Sequence, residues 1–237
     1  MTAQPAVPEA VRSRLALVLD VDDSVEALRL ARDLQPWFGT AKVGLELFSA
    51  SGPNVLGALQ EMGYDVFCDL KFHDIPTTVE RAARVIGSLG ARYLNFHAQG
   101  GTTMLKAGVE GFISGAIDAG LPTPTALAVT VLTSDGDAPA HILPKRVQAA
   151  LEAGCGGIVC AASDVAEAKQ YGPRLFTVVP GIRPAGAPRH DQARAATPEE
   201  AITSGADLLV IGRAVTHSTD PAMAADAIAT AVGACVL

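Results

Sequence analysis

The chain has 237 residues, 49% of them hydrophobic, which is ample for one continuous core and close to the size of a single (β/α)8 barrel. Its formal net charge is −7 and it has no Lys/Arg run. That argues against nucleic acid or an anionic membrane as the main partner, while a few local cations could still hold an anionic small molecule.

Residues 1–14 are rich in Ala and Pro, include Glu9, and have no apolar core. They read as neither a signal peptide nor a membrane span, but as a short tail before a single barrel-sized domain over 15–237. Eight apolar runs follow at even intervals: 15–19, 41–45, 66–70, 93–96, 126–131, 157–160, 175–179 and 208–211. Most are rich in Val, Ile and Leu without clean alternation, as expected of parallel strands covered on both faces. Between them lie stretches of helical periodicity. The first carries Val25, Leu28, Ala31 and Leu34, with Asp23 and Ser24 as caps. Others span 77–89, 103–119, 145–153, 164–170, 198–204 and 221–232. Gly63, Gly90, Gly154, Gly172 and Gly205 fit helix C-caps just ahead of the next strand. Strand–helix units without a domain-scale linker predict an α/β fold, a single closed (β/α)8 TIM barrel. An open doubly wound sheet is the alternative, but no GxGxxG follows the first strand, where the chain reads Leu19-Asp20-Val21-Asp22-Asp23.

The four cysteines, Cys68, Cys155, Cys160 and Cys235, form no CxxC pair and no Cys/His ligand spacing. Reduced thiols in a cytoplasmic protein are expected.

In such a barrel the chemistry sits where strands end. Those positions carry Asp20, Lys42, Asp69, Lys71, His97, Thr130, Thr133, Arg183 and Arg213. Lys42 lies in an apolar strand, and a lysine there calls for a buried partner, which Asp69 can supply. Asp69 and Lys71 are two apart and project to the same face, with Asp74 three residues further on. By itself this cluster also fits a structural ion pair, as Asp20 also fits a helix cap and His97 a core histidine. Pro180-Gly181-Ile182-Arg183-Pro184 and Ile211-Gly212-Arg213-Ala214 follow the seventh and eighth strands. A barrel usually builds its phosphate site from those two loops, where glycine admits backbone N–H groups and arginine adds charge-assisted bonds.

Taken together the chain resembles the bacterial type of orotidine 5′-phosphate decarboxylase. The resemblance rests on Leu19-Asp20, Lys42-Val43-Gly44, Asp69-Leu70-Lys71-Phe72-His73-Asp74-Ile75-Pro76, Asn95-Phe96-His97-Ala98, Val129-Thr130-Val131-Leu132-Thr133-Ser134 and the two Gly/Arg loops. It implies conversion of orotidine 5′-monophosphate to uridine 5′-monophosphate and CO2, the last step of UMP synthesis, with no metal and no organic cofactor. It also implies Lys71 as proton donor to C6, Asp69 beside the departing carboxylate, and Lys42 holding Asp69 ionised. Asp20, Lys42 and Thr78 would address the ribose, with Ile75 and Thr133 near the substrate. Arg183, Gln192, Gly212 and Arg213 would hold the phosphate, with Gln192 on a loop over 185–196 that closes on it. In the family a homodimer completes each site, so Asp74 and Thr78 would cross to the partner. Two readings compete. A Mg2+-dependent sugar-phosphate decarboxylase or aldolase of the same superfamily would carry an acidic residue in place of Lys42. A non-catalytic phosphate-binding barrel would not need the Asp69/Lys71 pair.

Overall fold

Eight parallel strands pair in sequence order, and the last pairs with the first, so the sheet closes with no free edge. They are β1 (Leu15–Leu19), β2 (Thr40–Gly44), β3 (Asp65–Phe72), β4 (Tyr93–His97), β5 (Thr125–Val129), β6 (Gly157–Val159), β7 (Phe176–Val179) and β8 (Leu208–Ile211). This computed structural model describes residues 7–134, 139–184 and 194–236. The expected (β/α)8 barrel is therefore the observed fold, and among the described residues no helix is long and apolar enough to cross a membrane.

Strand periodicity sorts the core into two clusters. Side chains facing the barrel axis, including Ala16, Val18, Phe67, Leu127, Val129, Val178 and Val210, form an inner cluster. Their alternating neighbours, such as Leu17, Leu19, Val66, Cys68, Leu94 and Ile211, pack outward under the helices. At the base of the inner cluster Tyr93 stacks on Phe176 with ring centroids 5.6 Å apart.

The helices follow the sequence signals with local exceptions. Asp23 caps the Ser24–Leu34 helix by accepting from Val25 N and Glu26 N. Thr197 and Glu200 form a capping box on Pro198–Thr203. Gly63, Gly90, Gly154 and Gly205 have positive φ, as a helix-terminating glycine does, but Gly172 ends its helix at φ −134 without turning left-handed. The segment between β2 and β3 carries two helices that sequence periodicity did not reveal, Leu45–Ser51 and Asn54–Glu61. Gly52 (φ 64) and Pro53 separate them, leaving each too short for a clear period, and Leu45 opens the first rather than ending β2. Ahead of β1, within the segment read as a tail, a short helix Glu9–Arg12 places Val11 in the core, and Arg12 donates to the Phe38 carbonyl at 3.2 Å.

Helices Pro76–Ser88 and Gly101–Asp118 pack at unusually close range. A Cβ at Gly87, Gly111 or Gly115 would overlap the backbone carbonyl oxygens of Phe112, Glu80 and Arg84, respectively. Backbone cannot swing aside as a side chain can, so these glycines set the distance between the helices. Gly111→Ala is therefore expected to destabilise by about 2–3 kcal/mol despite alanine's better helix propensity. Thermal unfolding should show Tm lower by about 5–10 °C.

Candidate active site

The barrel mouth holds a cavity of about 520 Å3. One wall is charged and made by the ends of β1, β2 and β3: Asp20, Lys42, Asp69 and Lys71. The opposite wall is apolar, with Val129, Val131, Val159, Pro180 and Val210. Charges facing a low-dielectric wall act on each other and on a ligand more strongly than they would in water.

The four charged groups form a connected line. Lys42 Nζ lies 3.1 Å from Asp20 Oδ1 and 3.1 Å from Asp69 Oδ2. The other oxygen of Asp69 takes Lys71 Nζ at 2.5 Å and Asn95 Nδ2 at 2.6 Å. Asp20 is no helix cap; Asp23 has that task. Gly44 leaves room for this contact. A Cβ there would stand 2.7 Å from Asp20 Oδ1 and 3.0 Å from Lys42 Nζ, so the two charged groups would have to shift to make way for any side chain. Its φ of −88 is ordinary, and what it contributes is room.

Burial penalises the charge on Asp69, but Lys42, Lys71 and the bonds from Lys71 and Asn95 outweigh it and lower its pKa from 3.8 to about 2. Burial likewise penalises Lys42, yet Asp69 and Asp20 hold its pKa above the ordinary lysine value. Because the folded pKa of Asp69 is depressed, its stabilising contribution, roughly 2 kcal/mol, is fully present above about pH 4. That contribution is lost as pH falls towards 2.

Alternation along β3 brings Asp69 and Lys71 to one face, as the sequence suggests, but the strand is irregular there. Cys68 pairs with Leu94 and Phe72 with Phe96, so β3 spends four steps where β4 spends two. Lys71 has φ 49, the only positive φ at a non-glycine position among the described residues. Its backbone N–H donates to Asn95 Oδ1 at 2.7 Å.

Across the cavity, Gly181 (φ 78), Arg183, Gly212 and Arg213 line the side formed by the β7 and β8 loops. Arg183 is buried and donates to the Ile182 carbonyl at 2.8 Å. Arg183 N donates to Ala196 O at 2.9 Å, and Ala196 N donates to Gly181 O at 3.3 Å. Thr133 is buried on the β5 side of the same cavity. Arg194 ties this side together. It pairs with Asp164 through both carboxylate oxygens at 2.7 Å and donates to the carbonyls of Val131 and Leu132.

Of the other expected site residues, Asp74, Ile75 and Thr78 are exposed and do not line the cavity of the single chain. Gln192 falls outside the described residues. Thr130 is buried and donates to the Val159 carbonyl at 3.0 Å, while His97 sits against His73 with ring centroids 5.7 Å apart. Burial, then His73, Lys71 and Arg146, lower the pKa of His97. Asn95 and Gly44 belong to the sequence motifs, but the sequence assigns neither a role. The available signals were a polar residue inside an apolar strand and a glycine two residues beyond a buried lysine.

A closed parallel barrel with a hydrogen-bonded line of alternating charges at the carboxyl ends of its strands defines an enzyme of the (β/α)8 class. Residues 13–228 match the model of the Orotidine 5′-phosphate decarboxylase / HUMPS family, and the chain belongs to that family. It is 46% identical to the orotidine 5′-phosphate decarboxylase of Anaeromyxobacter sp. (strain K), covering 91% of this chain and 96% of that protein. It is 40% identical to the protein of that name from Moorella thermoacetica, covering 98% and 97%. The crystal structure of orotidine 5′-phosphate decarboxylase from Lactobacillus acidophilus superposes with a TM-score of 0.76 at 31% identity, covering 93% of this chain and 99% of that one.

Proposed function

We propose that this mouth decarboxylates orotidine 5′-monophosphate to uridine 5′-monophosphate and CO2, the final step in making UMP. The observation that carries the reading is the line Lys42–Asp69–Lys71, held between an apolar wall and two Gly/Arg loops. The scissile bond joins C6 of the pyrimidine to its carboxylate. Its electron pair stays on C6 as CO2 leaves, and no neighbouring group offers an ordinary sink. A cation fixed beside C6 meets that charge as it develops, and Lys71 Nζ then gives up a proton to form the C–H bond. Solvent re-protonates the amine.

Asp69 stands beside the departing carboxylate and holds Lys71 in place. Lys42 keeps Asp69 ionised and, with Asp20, addresses ribose hydroxyls. Arg183, Gly212 and Arg213, with Gln192, hold the phosphate, and Thr133 faces the substrate from the β5 side. Binding energy from the phosphate, remote from C6, is available to fix the pyrimidine against Lys71. Asp74, Ile75 and Thr78 complete the site of a partner subunit, which suits their exposure and their absence from the cavity of their own chain. A cytoplasmic setting suits the buried thiols of Cys68, Cys155 and Cys160, whose pKa values burial pushes up to about 12.

The Mg2+-dependent alternative needs oxygen ligands where this chain puts the Lys42 ammonium. Following the loss of orotidine monophosphate absorbance with EDTA present decides between them. Unchanged turnover is expected; loss of turnover restored by Mg2+ would replace this reading with the metal-dependent one.

The pH dependence follows from the same charges. With its pKa near 2, Asp69 contributes no inflection to kcat/KM in the weakly acidic range. The acid limb should fall near pH 6, where the substrate phosphate takes up its second proton. In Lys42→Met, Asp69 loses the largest of the influences that lower its pKa, and a second acid inflection should appear above its present position. A kcat/KM profile of both proteins from about pH 4 to 8 checks this.

A further inference from the structure

Asn95 is fully buried on β4 and uses both ends of its amide on the reacting pair. Its oxygen accepts the Lys71 backbone N–H at 2.7 Å, and its nitrogen donates to Asp69 Oδ1 at 2.6 Å. The amide can sit only one way round, since only its oxygen can accept an N–H and only its NH2 can donate to a carboxylate. The bond to Lys71 falls on a left-handed residue, a conformation that long L side chains rarely adopt. An apolar residue here would leave the N–H unpaired and take one donor from Asp69, both in a buried site.

We infer that Asn95 is the positioning residue of the reaction: one arm holds the backbone turn that aims Lys71, and the other fixes the carboxylate with which Lys71 pairs. The inference rests on Lys71 and Asp69 being the reacting groups. The charged groups around it are Lys42 from β2, Asp69 and Lys71 from β3, and His97 on its own strand, with His73 and Arg146 acting on His97.

The experiment compares full-length Asn95→Ala and Asn95→Asp with the wild type by kcat, KM and Tm across pH. Asn95→Ala should lower kcat on the order of 100-fold while KM changes less than about threefold, because the phosphate and ribose contacts lie elsewhere. A residue that merely filled the core would lower Tm and leave the kcat of the folded protein alone. Asn95→Asp supplies a sharper readout. Protonated, its acid group donates to Asp69 and accepts from Lys71 as the amide does; ionised, it sets a second carboxylate against Asp69. Burial and that neighbouring charge raise its pKa. Its kcat relative to wild type should therefore rise at least about tenfold between about pH 8 and about pH 5.

A folded Asn95→Ala with kcat within about threefold of wild type overturns the inference. So does an Asn95→Asp ratio that does not change with pH, and that profile decides alone if Asn95→Ala does not fold. Lys71→Ala measured alongside separates the two levels. Wild-type turnover in Lys71→Ala removes the functional reading itself, whereas its collapse with the Asn95 variants unaffected removes only the role of Asn95.

Discussion

Lys71→Ala is expected to lower kcat by about five orders of magnitude while leaving UMP binding within about tenfold of wild type. Two effects combine. Loss of a positioned proton donor accounts for about 100- to 10,000-fold. Loss of a fixed cation where negative charge develops accounts for a further 100- to 1,000-fold, and the apolar wall keeps water from replacing it. UMP is the right probe for binding. It keeps the proposed ribose and phosphate contacts but has no carboxylate to meet Asp69, whose charge in the variant would be balanced by Lys42, with Asn95 donating one hydrogen bond. Orotidine monophosphate would bind less well for that reason, and its KM would confuse repulsion with lost anchoring. Lys71→Arg should not restore the rate, since a guanidinium keeps the charge but does not give up its proton near neutral pH. Initial-rate kinetics and calorimetric titration with UMP test both parts. A non-catalytic phosphate barrel would bind the nucleotide in every variant and release CO2 in none, wild type included.

The fold was legible because hydrophobic runs and their spacing survive without tertiary detail. β1 and β8 fall where the apolar runs place them, as both are continuous and buried along their length. The chain was harder to read where local order is short. The segment that follows β2 divides at Gly52-Pro53 into two short helices, and neither is long enough to establish a period. The candidate site divides along the same line. The meeting of Lys42 with Asp69 and of Asp69 with Lys71 follows from strand order and alternation, which sequence carries. The bulge in β3, the left-handed Lys71 and the double use of Asn95 depend on how β3 registers against β4, and a linear reading does not contain that register. Gly44 was hidden for a similar reason: what it provides is visible only once Asp20 and Lys42 are seen to meet over it.

A mixture of Lys71→Ala and Asp74→Asn, each nearly inactive alone, should recover about a quarter of wild-type activity when the two chains are unfolded and refolded together at equal concentration. The expectation follows from the proposed division of the motif between the two subunits of a dimer. Asp69 and Lys71 point into the mouth of their own barrel. Asp74 stands outside it, its carboxylate accepting the Ile75 N–H at 2.6 Å. Ile75 leaves an apolar side chain 66% exposed beside it, at the start of the helix Pro76–Ser88. That helix is locked against Gly101–Asp118 by glycines at backbone contact, so the segment carrying Asp74, Ile75 and Thr78 is presented on a rigid base. If Asp74 serves the partner's site, a mixed dimer has one site with both defects and one with none. Half the dimers in an equal mixture are mixed, so about a quarter of all sites are native. If Asp74 instead served its own barrel, every site in every dimer would carry one defect, and mixing would restore nothing. Activity that rises on co-refolding and tracks the fraction of mixed dimers thus separates a shared site from two independent ones, whatever the rate of either parent.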